Sequence, residues 1–224
     1  MDRVDLTLNR GEVLGLLGIN GAGKSTTLAM LAGASRPSAG HVLLDGQDLA
    51  EYPEMTRKLI GWLPERAPVW PELSVAEHLD AHGRLHGLRG KALRQAGTDM
   101  LERLQLGPSR RHLAGTLSQG QRQRLGLGCA LLHQPALLIL DEPANGLDPV
   151  QATALRALIR ERAAAGCAVV VSTHLLDEVT AVCDRAAIMH AGRLRHDAPL
   201  AGTGTSLENT FMAIATHDAR EVAA

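Results

Sequence analysis

The sequence predicts an α/β fold: a mostly parallel sheet around a phosphate-binding loop, with a short antiparallel β element and an inserted α-helical subdomain. Three observations predict it. The run Gly18-Ile19-Asn20-Gly21-Ala22-Gly23-Lys24-Ser25 fits GxxxxGK[ST], with an apolar stretch, Val13 to Leu17, before it and a helical pattern, Thr26 to Ala34, after it. Ala136 to Leu140 is a continuous apolar run of the kind buried on both faces of a parallel sheet, and it ends in Asp141-Glu142. Between these two, from Ser74 to about Leu106, the apolar period becomes helical, with Val75, Leu79, Leu85, Leu93, Leu101 and Leu104 among its positions.

In chain order, Val4, Leu6 and Leu8 alternate with polar residues, and Arg10-Gly11 turns into the next strand, which suggests a short antiparallel β element. The strand–loop–helix that follows is an anion site. Its glycines let backbone N–H groups turn inward around a polyphosphate, and the helix points its positive end at the same anion. Lys24 reaches the β- and γ-phosphates, and the Ser25 hydroxyl can ligate Mg²⁺. Lys24 is one of three lysines among 23 basic residues, so a compact point charge stands at this position in an arginine-rich chain.

Arg36-Pro37-Ser38-Ala39-Gly40 then breaks the chain, His41 to Leu44 reads as a strand, and Asp45-Gly46 as a turn. Leu59 to Leu63 is a strand ending at Pro64-Glu65. Within the helical insertion Gly87 to Gly90 separates two helices. His78, His82 and His86, four apart, line one helical face. That spacing can bind a metal, but no carboxylate or cysteine cluster completes a site, so a polar exposed or partner-facing stripe is expected. Trp62 is expected in the core, and Trp70 either packs inside the subdomain or is an exposed contact.

Leu117-Ser118-Gln119-Gly120-Gln121 leads into a long helix through Leu132. Ser118 and Gln121 form an S-x-x-Q capping box, and the same helix start is also a candidate anion site; the two readings are compatible. At the end of the apolar strand Asp141 is placed to hold the Mg²⁺ shell, and Glu142 to orient or deprotonate an attacking water. Asn145-Gly146-Leu147-Asp148-Pro149 is a loop, followed by a helix over 150–165. The strand Ala168 to Thr173 delivers His174 to the sheet edge that carries the phosphate loop and the carboxylates, where open α/β sheets place ligands. Gly192 to Leu200 reads as a last strand, Gly202-Thr203-Gly204 as a linker, and Ser206 to Ala215 as a short closing helix.

A net charge of −1 argues against nucleic-acid binding by bulk electrostatics. Cys129, Cys167 and Cys183 form no CxxC and read as reduced, buried thiols of a cytosolic protein. No apolar run approaches the length that spans a bilayer, so a membrane role comes through a partner.

Five features together resemble the ATPase subunit of ATP-binding cassette (ABC) transporters: the loop from Gly18 to Thr26, LSQGQ at 117–121 in place of LSGGQ, Asp141-Glu142, the loop around Asp148, and His174. The resemblance implies a P-loop NTPase core of RecA-like form over 1–65 and 116–200, a helical insertion over 66–115, and a C-terminal linker and helix over 201–224. It implies ATP and Mg²⁺ as cofactors. It further implies a homodimer sandwiching two ATP, in which Ser118, Gly120 and Gln121 of one copy touch the γ-phosphate held by Lys24 of the other. The partner implied is an integral membrane permease, with the chain peripheral on the cytoplasmic face of the plasma membrane.

Two positions depart from the family pattern. Glu65 stands where the family has a glutamine; the Gly61-Trp62-Leu63-Pro64-Glu65 form is similar to ATPases of multidrug, polymer and gliding-motility exporters, which implies that Glu65 still contacts Mg²⁺ or water. No Tyr, Phe or Trp precedes Lys24, where the family stacks an aromatic residue on adenine, and the expectation is a natural start upstream of Met1, or a truncation. A soluble ABC ATPase of DNA repair or translation is the alternative, disfavoured because no coiled-coil or zinc insertion is visible. A non-hydrolysing regulatory cassette is disfavoured by Lys24, Asp141, Glu142 and His174.

Overall fold

The computed structural model describes residues 1–201 and 207–221. The predicted linker Gly202-Thr203-Gly204 and the predicted helix start at Ser206 lie outside the described residues. In chain order the elements are β1 (Val13–Leu17), α1 (Lys24–Leu31), β2 (Leu43–Leu44), β3 (Gln47–Asp48), α2 (Pro53–Leu59) and β4 (Ile60–Leu63). Then come α3 (Val75–Leu85), α4 (Gly90–Arg103), a 3₁₀ turn (Ala114–Thr116), α5 (Gln119–Leu131), β5 (Leu137–Asp141) and α6 (Pro149–Ala164). The chain ends with β6 (Ala168–Ser172), α7 (Leu176–Val182), β7 (Arg185–His190), β8 (Arg193–Pro199) and α8 (Leu207–Glu221).

The main sheet has the order β4-β5-β6-β1-β7-β8, with every pairing parallel except β7 with β8. β5, β6 and β1 are thus neighbours whose C-terminal ends share one edge. Alternation sends successive side chains to opposite faces. Leu138, Leu140, Val169 and Val171 join the core beneath α5 and α6, while Leu137, Ile139, Val170, Leu14 and Leu16 join the one that holds Leu28 of α1. Both layers are sealed, which is why the predicted strand 136–140 carries no polar residue. Gly61 lets α5 approach β4 closely, since a Cβ there would lie 2.1 Å from the Ala130 carbonyl oxygen.

The 74–106 reading holds as two helices, α3 and α4, that pack onto α5; Leu79 and Leu104 close over Gly128. Ser74 caps α3 in a capping box with Glu77.

Several expectations are corrected. Val4, Leu6 and Leu8 are half-buried against the core, but residues 4–8 join no ladder. Two points tie the segment down: Asp2 N–H bonds to Gly192 O, and the Arg185 guanidinium bonds to Thr7 O. The antiparallel hairpin is instead β2–β3, turning at Asp45-Gly46, so the predicted strand from His41 shortens to Leu43–Leu44. The sequence reading assigns nothing to α2, α7 or β7, although Ala186-Ala187-Ile188-Met189 is an apolar run buried beside β1. α8 extends past Ala215, with Leu207, Phe211 and Ile214 against Leu17, Val179 and Ile188.

The histidines are not an exposed stripe. His78 is fully buried and accepts Trp70 N–H at Nε2, 2.9 Å away. His82 and His86 are half-buried, and the His86 ring stacks on His133 with centroids 3.7 Å apart. His78 and His82 share α3 with Val75 and Leu79, and His86 is its C-cap; the packing of α3 on α5 draws the imidazoles into the interior. Trp70 is 46% exposed and its ring leans on His78 and His82. Among the described residues no group of three or more His, Cys, Asp or Glu is placed to hold a metal ion.

Candidate functional site

The phosphate loop connects β1 to α1. Gly21 and Gly23 have φ of 82° and 104°, a region open to glycine, and this curls the loop around its own N–H groups. Lys24 is only 8% exposed, and its Nζ donates to Gly18 O at 2.6 Å, so the ammonium is held inside the loop. Ser25 and Thr26 are exposed at the start of α1.

Two strands away, β5 ends at Asp141, which is 4% exposed. Its Oδ1 accepts the Ser172 hydroxyl, from the residue directly opposite on β6. Glu142 has φ of 47°, left-handed for a residue with a Cβ. Its backbone is held from two sides. Glu142 N–H donates to Ser172 O at 3.1 Å and to Ser172 Oγ at 3.3 Å. The buried Gln123 amide of α5 donates to Glu142 O and Pro143 O, each at 3.4 Å. The Glu142 side chain then meets His174, with Nδ1 and Oε1 2.9 Å apart. A carboxylate only accepts, so Nδ1 carries the proton and Oε2 stays open to another donor.

The structure therefore brings Gly18 to Thr26, Asp141, Glu142 and His174 to one edge of the sheet. Glu65 is exposed just beyond β4, next to β5 on the same edge. Ser118, Gly120 and Gln121 sit elsewhere. Ser118 Oγ accepts Gln121 N–H, Gln121 Oε1 accepts Ser118 N–H, and the Gln121 amide donates to Ser109 Oγ. Gly120 abuts the Gly146 carbonyl, in the loop that leads to Asp148. Asp148 is the N-cap of α6, its Oδ1 accepting Gln151 N–H at 2.8 Å.

Ser172 and Gln123 are the residues sequence reasoning missed. The signal for Ser172 was a hydroxyl ending an otherwise apolar strand, in register with an acid. The signal for Gln123 was an uncharged amide on the inner face of a buried helix.

The donor set fits a nucleotide and its metal. Positive-φ glycines with a buried lysine suit a polyphosphate, and Asp141 with Ser25 offers the hard oxygen ligands that Mg²⁺ takes.

Comparisons with known proteins identify the family. The family model described as ABC transporter matches residues 1–145. The probable multidrug ABC transporter ATP-binding protein YbhF of Escherichia coli (strain K12) is 37% identical over 86% of this chain and 33% of that protein. The daunorubicin/doxorubicin resistance ATP-binding protein DrrA of Streptomyces peucetius is 34% identical over 98% of this chain and 67% of that protein. The chain thus spans about a third of the length of YbhF and about two thirds of DrrA. Among solved structures, the dimeric bacterial ABC transporter cassette MJ0796 superposes with a TM-score of 0.82 at 25% identity, covering 89% of this chain and 90% of that one. The chain belongs to the ABC transporter family.

Proposed function

We propose that the chain hydrolyses ATP and drives transport, in the direction of export, through a separate integral membrane permease. The observation that carries this reading is the Glu142–His174 bond of 2.9 Å, beside the strand that ends in the phosphate loop. Lys24 holds the β- and γ-phosphates within the loop 18–26. Asp141 and Ser25 hold Mg²⁺, with Glu65 at the rim; when bound, the ion offsets the negative charge of the phosphates. Glu142 uses its free Oε2 to accept a proton from the attacking water. His174 keeps that carboxylate aimed through Oε1 and remains a fixed donor at the site.

Two copies form the working unit. Ser118, Gly120 and Gln121 lie on a different element from the loop of their own chain, and present a helix start with its cap already made. In the dimer they meet the γ-phosphate held by Lys24 of the other copy, with Asp148 beside them. The dimeric state of MJ0796 supports this arrangement, and the names of YbhF and DrrA support export. The core spans 1–65 and 116–200, and the insertion 66–115 passes the motion to the permease. No helix among the described residues is long and apolar enough to cross a membrane. In this reading the chain lies at the cytoplasmic face of the plasma membrane, held there by the permease.

Sedimentation of the Glu142→Gln variant with and without ATP at low Mg²⁺ tests the reading. Dimers that form only with ATP are expected, because the nucleotide sandwich is trapped when the water is no longer activated. Monomers under both conditions would remove the sandwich from this proposal.

A further inference from the structure

We propose that Ser172 is a positioning residue for the Asp141–Glu142 pair, setting the direction of the metal-binding carboxylate and the backbone turn that presents the catalytic one. The inference rests on the ATPase reading above. Three bonds converge on this one residue. The Ser172 hydroxyl donates to Asp141 Oδ1. The same oxygen accepts Glu142 N–H at 3.3 Å, and the Ser172 carbonyl accepts it at 3.1 Å.

The physical need for each bond is separate. Asp141 is 4% exposed, so water cannot fix its carboxylate, and one bonded oxygen leaves the other free and aimed. Glu142 sits at φ 47°, where a Cβ is strained, and the turn persists only if its neighbours hold it. Ser172 is fully buried and directly opposite Asp141 in the parallel register, so no other side chain of β6 can take its place. An alanine there would keep the strand and its packing, and would keep the carbonyl bond to Glu142. It would remove the hydroxyl that bonds Asp141 Oδ1.

The test uses the full chain and measures stabilisation against heat by ATP at fixed concentration while Mg²⁺ is titrated, with ATP in EDTA as the metal-free reference. Ser172→Ala is expected to raise the Mg²⁺ concentration for half-maximal stabilisation about ten-fold, the usual effect of losing a bond behind a metal ligand. Stabilisation by ATP in EDTA should stay as in the wild type, because the phosphate loop is untouched. Ser172→Thr, which retains the hydroxyl, should return the Mg²⁺ requirement to within about two-fold of the wild type. An unchanged Mg²⁺ requirement in Ser172→Ala would overturn the inference and leave the ATPase reading standing. So would an equal loss of metal-free ATP binding, or a threonine variant no better than alanine. A wild type stabilised equally by ATP with and without Mg²⁺ would overturn both.

Discussion

His174 Nδ1 lies 2.9 Å from Glu142 Oε1, and this bond joins the end of β6 to the end of β5 across neighbouring strands. His174 is the more exposed partner, with 55% of its side chain accessible against 13% for Glu142. Removing the histidine therefore frees a carboxylate that is itself mostly covered. His174→Ala should lower ATP turnover about 100-fold, the scale of a lost acid–base contact, with ATP-dependent stabilisation unchanged. Steady-state phosphate release beside a thermal melt separates the two.

Gln123 reaches the same acid from the opposite side, through carbonyls of Glu142 and Pro143 at 3.4 Å each. Gln123→Leu keeps the volume and leaves both carbonyls without that donor, although Asn145 N–H still bonds Glu142 O. Stability should fall by about 1 kcal/mol, and turnover should fall further than that loss explains, because the turn at Glu142 loosens. Urea denaturation and turnover at saturating ATP, measured on the same preparation, would show whether the amide only stabilises the fold.

Ser118 has a structural duty independent of nucleotide. Its capping box satisfies the start of α5, so Ser118→Ala should cost about 1 kcal/mol in denaturant unfolding. Ser118→Asn, an equally good cap, should restore that stability while still failing to form the ATP-dependent dimer in the Glu142→Gln background. Dimer formation by the asparagine variant would show that the hydroxyl makes no γ-phosphate contact.

Burial pushes the imidazoles of His82 and His133 down to about 4. His133 Nε2 lies 3.1 Å from Ile60 O, so it carries the proton, and Nδ1 is buried without a partner. A proton added at Nδ1 would have no acceptor. The folded state therefore refuses protons that the unfolded chain accepts below about pH 6.5, the ordinary histidine value. The contribution of these two imidazoles should be fully present above about pH 6.5 and decline as pH falls toward about 4. His133→Phe should flatten part of this slope by keeping a ring against His86 without a titrating nitrogen. Thermal melts from pH 7.5 to 4.5 check it, and parallel curves for variant and wild type would exclude His133 as a source.

The sequence by itself determined the glycine-rich turn before Lys24, the strand that ends at Asp141, the capping box of Ser118 with Gln121 and the two inserted helices. Each is a local pattern in which spacing and residue type already impose the conformation: glycines before a lysine, a serine three residues before a glutamine, an apolar run ending in acids. The tertiary structure decided what depends on a neighbour from elsewhere in the chain. Alternation at Val4, Leu6 and Leu8 suggested a strand, but a ladder also needs a strand beside it, and the pattern says nothing about that. Helical spacing put His78, His82 and His86 on one face; only the packing of α3 on α5 turned that face inward. Ser172 became a partner of Asp141 because the parallel register of β5 and β6 set them opposite each other, 31 residues apart in sequence. Register is fixed by burial on both faces of the sheet, a property of the assembled strands and not of either one alone.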